Sequence, residues 1–314
     1  MMINDFCLFA KWCPMPTLPF ALPITQICQH FTKTHTTPKS LSERIADANQ
    51  TLAPFVHIEL GKHNSVRVSL QRADKRNALS FAMMDKLIWV AKQIQTWHDV
   101  RAVILQGDGE SFCAGIDLGD LNNPKNISKV AWQLIKPTLS TYQQVCLLWR
   151  ELGVPVIAVV HGHCIGAGLQ LAMACDVRFA TPDCQFAIME SKWGLVPDMG
   201  LTQSAIGIAP DTLKILAMTA RTFDADTALQ YGFISQISAN PLELADKLVA
   251  ELAERSPDAM LASKRVINRM YRQSTTALYN EKIWQIKLLL GNNQKLAVKK
   301  AKDRTVQFLA RQFD

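Results

Sequence analysis

The sequence predicts an α/β fold, a coiled stack of sheets built from repeated strand–strand–helix units and finished by a helical C-terminal region. Three observations carry that reading. Between residues 55 and 180, strand-length runs of alternating or continuous apolar residues are interleaved with segments whose apolar residues recur at helical spacing. Two glycine-bearing loops each follow an apolar strand. Beyond Asp211 the strand-like runs thin out and amphipathic helical segments take over.

The elements follow in order. Val56, Ile58 and Leu60 alternate with His57 and Glu59, and Val66, Val68 and Leu70 alternate with Arg67 and Ser69. With Gly61 to Ser65 between them, these runs predict an antiparallel hairpin with one buried face. Ser80 caps a helix in which Met84, Leu87, Ile88 and Ala91 recur at i, i+3, i+4, i+7. Arg101 to Gln106 reads as a short strand, and Val145, Leu148, Trp149 and Leu152 mark a second helix. Val156 to Val160 is a fully apolar strand, Gly162 to Gly168 a loop, Leu169 to Ala174 a helix and Val177 to Ala180 a strand. Two amphipathic helices follow, one on Ala245, Leu248, Val249 and Leu252, the other on Ala259, Ala262, Val266 and Met270; the tail reads as helical too.

The N-terminal stretch differs. Phe6 to Ile27 is apolar but is broken by Lys11 and by Pro14, Pro16, Pro19 and Pro23, which does not suit a signal peptide. Residues 1–53 are expected to form a poorly ordered extension, 54–254 a catalytic core and 255–314 a helical region.

With 48% apolar and 19% charged residues, the 314-residue chain has an ordinary globular balance that argues against disorder. Its eight cysteines form no CxxC pair and sit mostly in apolar runs, as reduced thiols of a cytoplasmic protein do. No apolar stretch approaches the ~20 residues that cross a bilayer, so no membrane partner is expected. The formal charge is +7, with Lys295, Lys299, Lys300, Lys302, Arg304 and Arg311 gathered near the C-terminus. Such a segment suits nucleic acid, an anionic membrane or a phosphorylated small molecule, and equally a plain solvated face. No zinc-finger spacing or RNP-like motif supports nucleic acid. No His, Cys and Asp cluster has metal spacing, and no G-x-S-x-G elbow occurs.

The chemistry is concentrated in the two glycine loops and what lies around them. The first runs from Gly107 to Leu118 and the second from His161 to Gly168, leading into a helix. Glycine lets backbone approach a ligand closely, and a helix start offers unpaired N–H groups; alone, such loops also serve as tight turns. The order Leu70 to Ser80, then Phe112 to Leu118, then Gly162 to Asp176, then Met189 to Gly200 resembles the crotonase (enoyl-CoA hydratase/isomerase) superfamily, over about Phe55 to the C-terminus. The resemblance implies a crotonase-type spiral of ββα units, a C-terminal helical part that builds homotrimers or homohexamers, and an acyl-CoA thioester substrate with no separate cofactor. It also implies an oxyanion hole formed by the N–H groups at Ile116 and Ala167. Ala167 stands where the family usually has glycine, and a positive φ there would be penalised.

The acid and base positions decide the reaction. Hydratases of this family flank a water with two glutamates, at positions matching Gln170 and Glu190 here. A glutamine neither takes nor gives a proton at neutral pH, which leaves Gln170 to orient a water or a substrate group. Asp198 falls where dienoyl-CoA isomerases of the family carry a catalytic aspartate, so Glu190 and Asp198 together suit a proton shuttle. Those isomerases also have an acid at the place of Gln170, so the match is incomplete; without the resemblance Asp198 reads as a turn or cap residue. Trp193 suits either desolvation of Glu190 or a pocket wall. His163 has the right intrinsic pKa for proton transfer but matches no usual catalytic position, and His161 reads as a packed histidine. Asp117 and Asp176 read as structural caps. By the family relation the nucleotide pocket draws on Arg72, Lys75 and Arg76 and on Ala114, Gly115, Asp117 and Leu118, with Lys264 assisting from a neighbouring subunit; each of these cations is equally a solvated charge. The expected activity is double-bond isomerisation of the dienoyl-CoA type. Hydration by Glu190 with Gln170 positioning water is the first alternative, and a weakly catalytic acyl-CoA-binding protein the second.

Overall fold

Residues 39–121, 123–135, 138–270, 291–300 and 303–313 are described by the structure, a computed structural model. Helix α1 (Leu41–Leu52) opens the described chain and corrects the boundary expected at residue 53. Ser40 and Glu43 form a reciprocal capping box at its start, and Leu41, Ile45, Ala48 and Leu52 are buried in the main core. Asn49 then ties the helix to the sheet, accepting from the Ile58 N–H and donating to the Ile58 carbonyl. From Ser40 onward the described residues cluster as one compact unit, with the helices after residue 254 packed as part of it. The extension expected for residues 1–38 lies outside the described residues.

Strand β1 (Val56–Leu60) runs antiparallel to β2 (Ser65–Leu70), with Val56 opposite Leu70 and Leu60 opposite Val66, as the alternation predicts. After helix α2 (Phe81–Thr96), strand β3 (Ala102–Gly107) pairs parallel to β2. Ser80 caps α2 by accepting from the Met83 N–H, and the helix buries Met83, Met84, Leu87, Val90, Ala91 and Ile94. Short helices at Leu118–Leu121 and Ile127–Ile135 precede α3 (Thr141–Glu151), whose start carries a Ser140–Gln143 capping box. Strand β4 (Val156–Val160) is buried along its whole length, as a central parallel strand must be.

The expected loop after β4 holds a further strand, β5 (His163–Ile165), before α4 (Ala167–Met173) and β6 (Val177–Ala180). Strand β7 (Gln185–Ala187) pairs with β5 in a separate two-stranded sheet, while β8 (Gln236–Ile237) extends the main sheet. The main sheet has the order β1-β2-β3-β4-β6-β8, parallel throughout except at β1. The period of 2 divides its side chains between two cores. Val103, Leu105, Val156 and Ala158 face the larger core, while Ala102, Ile104, Ile157 and Val159 meet Ala245 and Val249 of α5 (Pro241–Ala253).

Helices α6 (Pro257–Ile267) and α7 (Asn292–Lys300) complete the fold. The basic tail is not a uniformly solvated face. Arg311 is buried, donating from its N–H to the His98 carbonyl and from Nη2 to the Gln95 carbonyl at the end of α2. Lys300 lies 3.2 Å from Glu254 and 5.1 Å from the Phe308 ring centre; Lys302 lies outside the described residues. Among the described residues no helix is long and apolar enough to cross a membrane.

Candidate active site

The two glycine loops are joined backbone to backbone. Phe112 and Cys113 donate to the carbonyls of His161 and His163, and Ile165 donates to Cys113. Helix α4 then starts directly against the first loop: a Cβ at Gly168 would lie 2.5 Å from the Cys113 carbonyl oxygen, so only glycine fits there. The positive φ that would be penalised at Ala167 falls one residue earlier. Gly166 has φ 52 and ψ −118, a conformation that suits glycine, and Ala167 is the first residue of the helix. A Cβ at 167 therefore carries no backbone penalty.

Leu79 donates to the Gly115 carbonyl and accepts from the Asp117 N–H. This parallel bridge turns the intervening Ile116 N–H away from Leu79. Among the described residues, neither the Ile116 nor the Ala167 N–H donates to a backbone carbonyl. Both residues line a cavity of about 670 Å³ whose walls are mostly apolar, as do Glu190, Asp198 and Gln170. Ala114, Gly115 and Leu118 line it too. Leu121, Val130 and Tyr142, which belong to none of the motifs, line it as well.

Gln170 is 1% exposed. Its Oε1 accepts from the Met199 N–H at 2.9 Å, which fixes the amide's orientation, and its Nε2 donates to Glu190 Oε1 at 2.6 Å. Water is therefore not the partner of its strongest bonds. Among the described residues Glu190 Oε2 is buried without a hydrogen-bond partner. Burial pushes the Glu190 carboxyl above the ordinary carboxylate range; its own backbone N–H and Gln170 pull the other way, and the charge of Asp198 adds to the rise. Partial desolvation raises Asp198 as well, although it is the more exposed of the two. Tyr142 is raised by burial and by Asp198, which places its phenol within that carboxylate's field. Trp193 is a wall of the cavity and is 54% exposed.

The remaining expectations fall outside the cavity. Arg72 pairs with Asp117 at 2.5 Å and donates to the Ala78 carbonyl, and Asp117 also accepts from the Gly119 N–H. Arg72 thus braces the loop it was expected to leave for a phosphate. Asn77 shares that bracing, accepting from the Arg72 N–H and donating to the carbonyls of Asp108 and Ser111. Lys75 and Arg76 are exposed on the turn before α2. Lys264 is a correction: its side chain is 7% exposed, and its ammonium donates to Asp176 at 2.6 Å and to the Val154 carbonyl at 2.8 Å. An ammonium engaged in this way is a structural tie, not a free cation for a phosphate. Asp176 also accepts from the Val156 N–H, in keeping with a structural role. His163 Nδ1 lies 3.1 Å from Ser111 Oγ, and His161 Nε2 lies 2.9 Å from the Gly109 carbonyl oxygen; neither lines the cavity.

A half-buried glutamate and a more exposed aspartate line one apolar cavity, carried by the mainly parallel sheet and the loops of an α/β fold. The pattern of the enoyl-CoA hydratase/isomerase family matches residues 61–303, and the chain belongs to that family, the crotonase superfamily. The chain is 32% identical over 244 residues to the mitochondrial Delta(3,5)-Delta(2,4)-dienoyl-CoA isomerase of Rattus norvegicus, covering 74% of this chain and 73% of that protein. It is 34% identical over 217 residues to the Homo sapiens enzyme of the same name, covering 66% and 65%. Among solved structures, the enoyl-CoA hydratase of Bacillus anthracis superposes with a TM-score of 0.74 at 25% identity, over 82% of this chain and 100% of that one. The crotonase fold expected from the sequence is the fold observed.

Proposed function

We propose that this chain isomerises a 3,5-dienoyl-CoA to its 2,4-dienoyl isomer, with Glu190 and Asp198 as the proton-transfer carboxylates. The observation that carries the reading is their convergence on one apolar cavity, each raised above the ordinary carboxylate range by desolvation, Glu190 half-buried and Asp198 more exposed. Glu190 Oε1 lies 3.6 Å from where a Cβ at Gly166 would stand, one residue from the Ala167 N–H. Glu190 therefore serves the carbon next to the thioester, and Asp198 the far end of the conjugated system.

The ionised Glu190 takes a proton from C2. The C–H electron pair enters the conjugated system, and negative charge reaches the thioester oxygen, where the Ile116 and Ala167 N–H groups receive it. Loss of one such donor costs ~3 kcal/mol in comparable sites. Asp198, protonated, delivers its proton to C6, and the double bonds move from 3,5 to 2,4. One C–H bond is broken and one formed, and a proton passing from Glu190 to Asp198 resets the pair. The substrate's CoA is polyanionic, which suits exposed Lys75 and Arg76; assembly as a trimer or hexamer and a cytoplasmic location belong to the same proposal. Hydration is the weaker reading, because Gln170 bonds protein at both ends of its amide.

The test is turnover of a 3,5-dienoyl-CoA beside a 2-enoyl-CoA, followed by ultraviolet absorbance across pH. The reading expects a bell-shaped kcat/KM for the dienoyl substrate with limbs above the usual carboxylate range, and loss of turnover in both Glu190→Gln and Asp198→Asn. Turnover of the 2-enoyl-CoA alone, lost only in Glu190→Gln, makes the chain a single-acid hydratase and Asp198 a turn residue.

A further inference from the structure

We propose that the cleft between the C-terminal ends of α3 and α6 binds a doubly charged phosphoryl group, the phosphate or diphosphate of a small molecule other than the acyl-CoA in the cavity. The site rests on charge and shape away from the two carboxylates, so it stands or falls apart from the isomerase reading.

Arg150, Arg265 and Arg269 line a cleft of about 310 Å³ together with Glu151, Thr202 and Gln203. Two helix ends build it. Arg150 Nη2 donates to the Asn268 carbonyl, just past α6, and Asn268 Nδ2 donates to the Arg150 carbonyl, both at 3.1 Å. This reciprocal pair ties the end of α3 to the end of α6 and fixes the arginines on a common wall. Arg265 Nη1 lies 2.7 Å from a Glu151 carboxylate oxygen, and Arg150 Nε lies 4.0 Å from the other. Cations near helix C-termini offset the helix dipole, which accounts for Arg150 and Arg265 by itself. It does not account for Arg269, which stands beyond the helix end and whose side chain makes no ion pair or hydrogen bond among the described residues.

Glu151 is the one carboxylate among the described residues of the cleft, which leaves two positive charges unmatched. The sequence that follows does not redress the balance, since residues 271–290 set Arg272, Lys282 and Lys287 against Glu281. The side chains of Arg150 and Arg265 are 16% and 17% exposed. Charges so far withdrawn from water attract a counter-ion more strongly than the same charges in open solvent. Guanidinium groups meet phosphoryl oxygens in bidentate fashion, and Thr202 and Gln203, on the short helix Leu201–Ser204, add a hydroxyl and an amide to the same cleft. Two unmatched charges select a dianion. The acyl cavity is a separate place. Along α3, Tyr142 lines the cavity and Arg150 follows eight residues later, about 12 Å on at the helical rise. The two linings share no residue.

The test is calorimetric titration of the full-length protein with pyrophosphate and with inorganic phosphate, at constant ionic strength held with chloride. Saturable binding at one site per chain is expected, with the same Kd when the protein is saturated with acyl-CoA. A tighter Kd for pyrophosphate identifies a diphosphate ligand, and a tighter Kd for phosphate a monophosphate. Arg269→Met should weaken binding about tenfold or more, the worth of a hydrogen bond to a charged group. Lys92→Met, which removes an exposed charge outside the cleft, should leave it unchanged. Thr202→Val, a neutral change in the same wall, should weaken binding severalfold, and it carries the test if Arg269→Met fails to fold. Absence of saturable heat with either anion overturns the proposal. Equal weakening in Arg269→Met and Lys92→Met overturns it too, by reducing the effect to net charge. So does displacement of the anion by acyl-CoA, which gives the site to the substrate's own phosphates.

Discussion

Replacing Lys264 with methionine keeps the length of the side chain and removes its charge. In the folded protein the ammonium is 7% exposed and donates to Asp176 Oδ2 at 2.6 Å and to the Val154 carbonyl at 2.8 Å. Breaking a buried ion pair by deleting one partner costs about 3–5 kcal/mol, chiefly through the charge left behind. Here that charge is Asp176, which is 24% exposed and keeps the Val156 N–H, so the loss belongs at the lower end, about 3 kcal/mol. For a domain of this size the loss lowers Tm by roughly 6–12 °C. The assay is urea unfolding followed by circular dichroism at fixed protein concentration, with acyl-CoA kinetics alongside. Asp176→Asn alone should cost more than Lys264→Met, because it strands the better-buried partner. The double variant should recover part of either loss. A loss under about 1 kcal/mol, joined to a tenfold rise in KM for the acyl-CoA at unchanged kcat, would refute the reasoning and restore Lys264 as a CoA ligand.

The other predictions concern the site and its supports. Because the folded-state pKa of Glu190 is raised by burial, its contribution to stability is present below the unfolded value and lost as pH rises through the folded one. Glu190→Gln should therefore stabilise the protein at neutral pH and leave its stability unchanged below the ordinary carboxylate range, read from melting curves across pH. Gly168→Ala drives a methyl to 2.5 Å from the Cys113 carbonyl oxygen and 2.7 Å from its Cβ, while the methyl of Gly207→Ala meets nothing within 4 Å. The first should cost roughly 1–3 kcal/mol and impair turnover; equal stability of the two variants would contradict the close approach of α4 to the first loop. Burial raises the thiols of Cys113 and Cys175 to about 12, and those of Cys146, Cys164 and Cys184 also lie above their ordinary value. None of these five should be alkylated in native protein at neutral pH, as mapped by mass spectrometry, and all five should be in urea.

Periodicity made the main sheet legible, since Val56 to Leu70 alternates and Val156 to Val160 does not, as an edge hairpin and a central strand require. The α1 helix was legible too and was passed over: Ser40 and Glu43 spell a capping box, and Leu41, Ile45, Ala48 and Leu52 share a face. The proline-rich stretch before it masked the change of character. Strand β5 was not legible, because three residues beside glycines carry no period. In the site, the candidate residues could be named from their motifs, but their convergence could not, because Gln170, Glu190 and Asp198 meet only through α4 and the turn at Glu190–Trp193. Lys264 misled because burial is a property of what packs over a helix, and its own sequence neighbourhood, Ser263 and Arg265, reads as surface.

The segment from Glu190 to Gly200 carries both carboxylates, yet its apolar side chains are poorly covered: Trp193 is 54%, Leu195 47% and Val196 68% exposed. It is held instead by polar ties, the Gln170 amide bonding Glu190 and Met199, and Ser191 Oγ donating to the Met218 carbonyl. All three apolar side chains line the cavity. An acyl chain lying against them supplies the packing the segment lacks, and in doing so removes further water from the two carboxylates. Desolvation is already the largest cause of the rise at both Glu190 and Asp198, so substrate binding and the protonation of the pair reinforce each other. On the proposed function, a long apolar chain is expected to raise both carboxylates further than a short, poorly covering one, which the pH limbs of turnover for the two substrates would read.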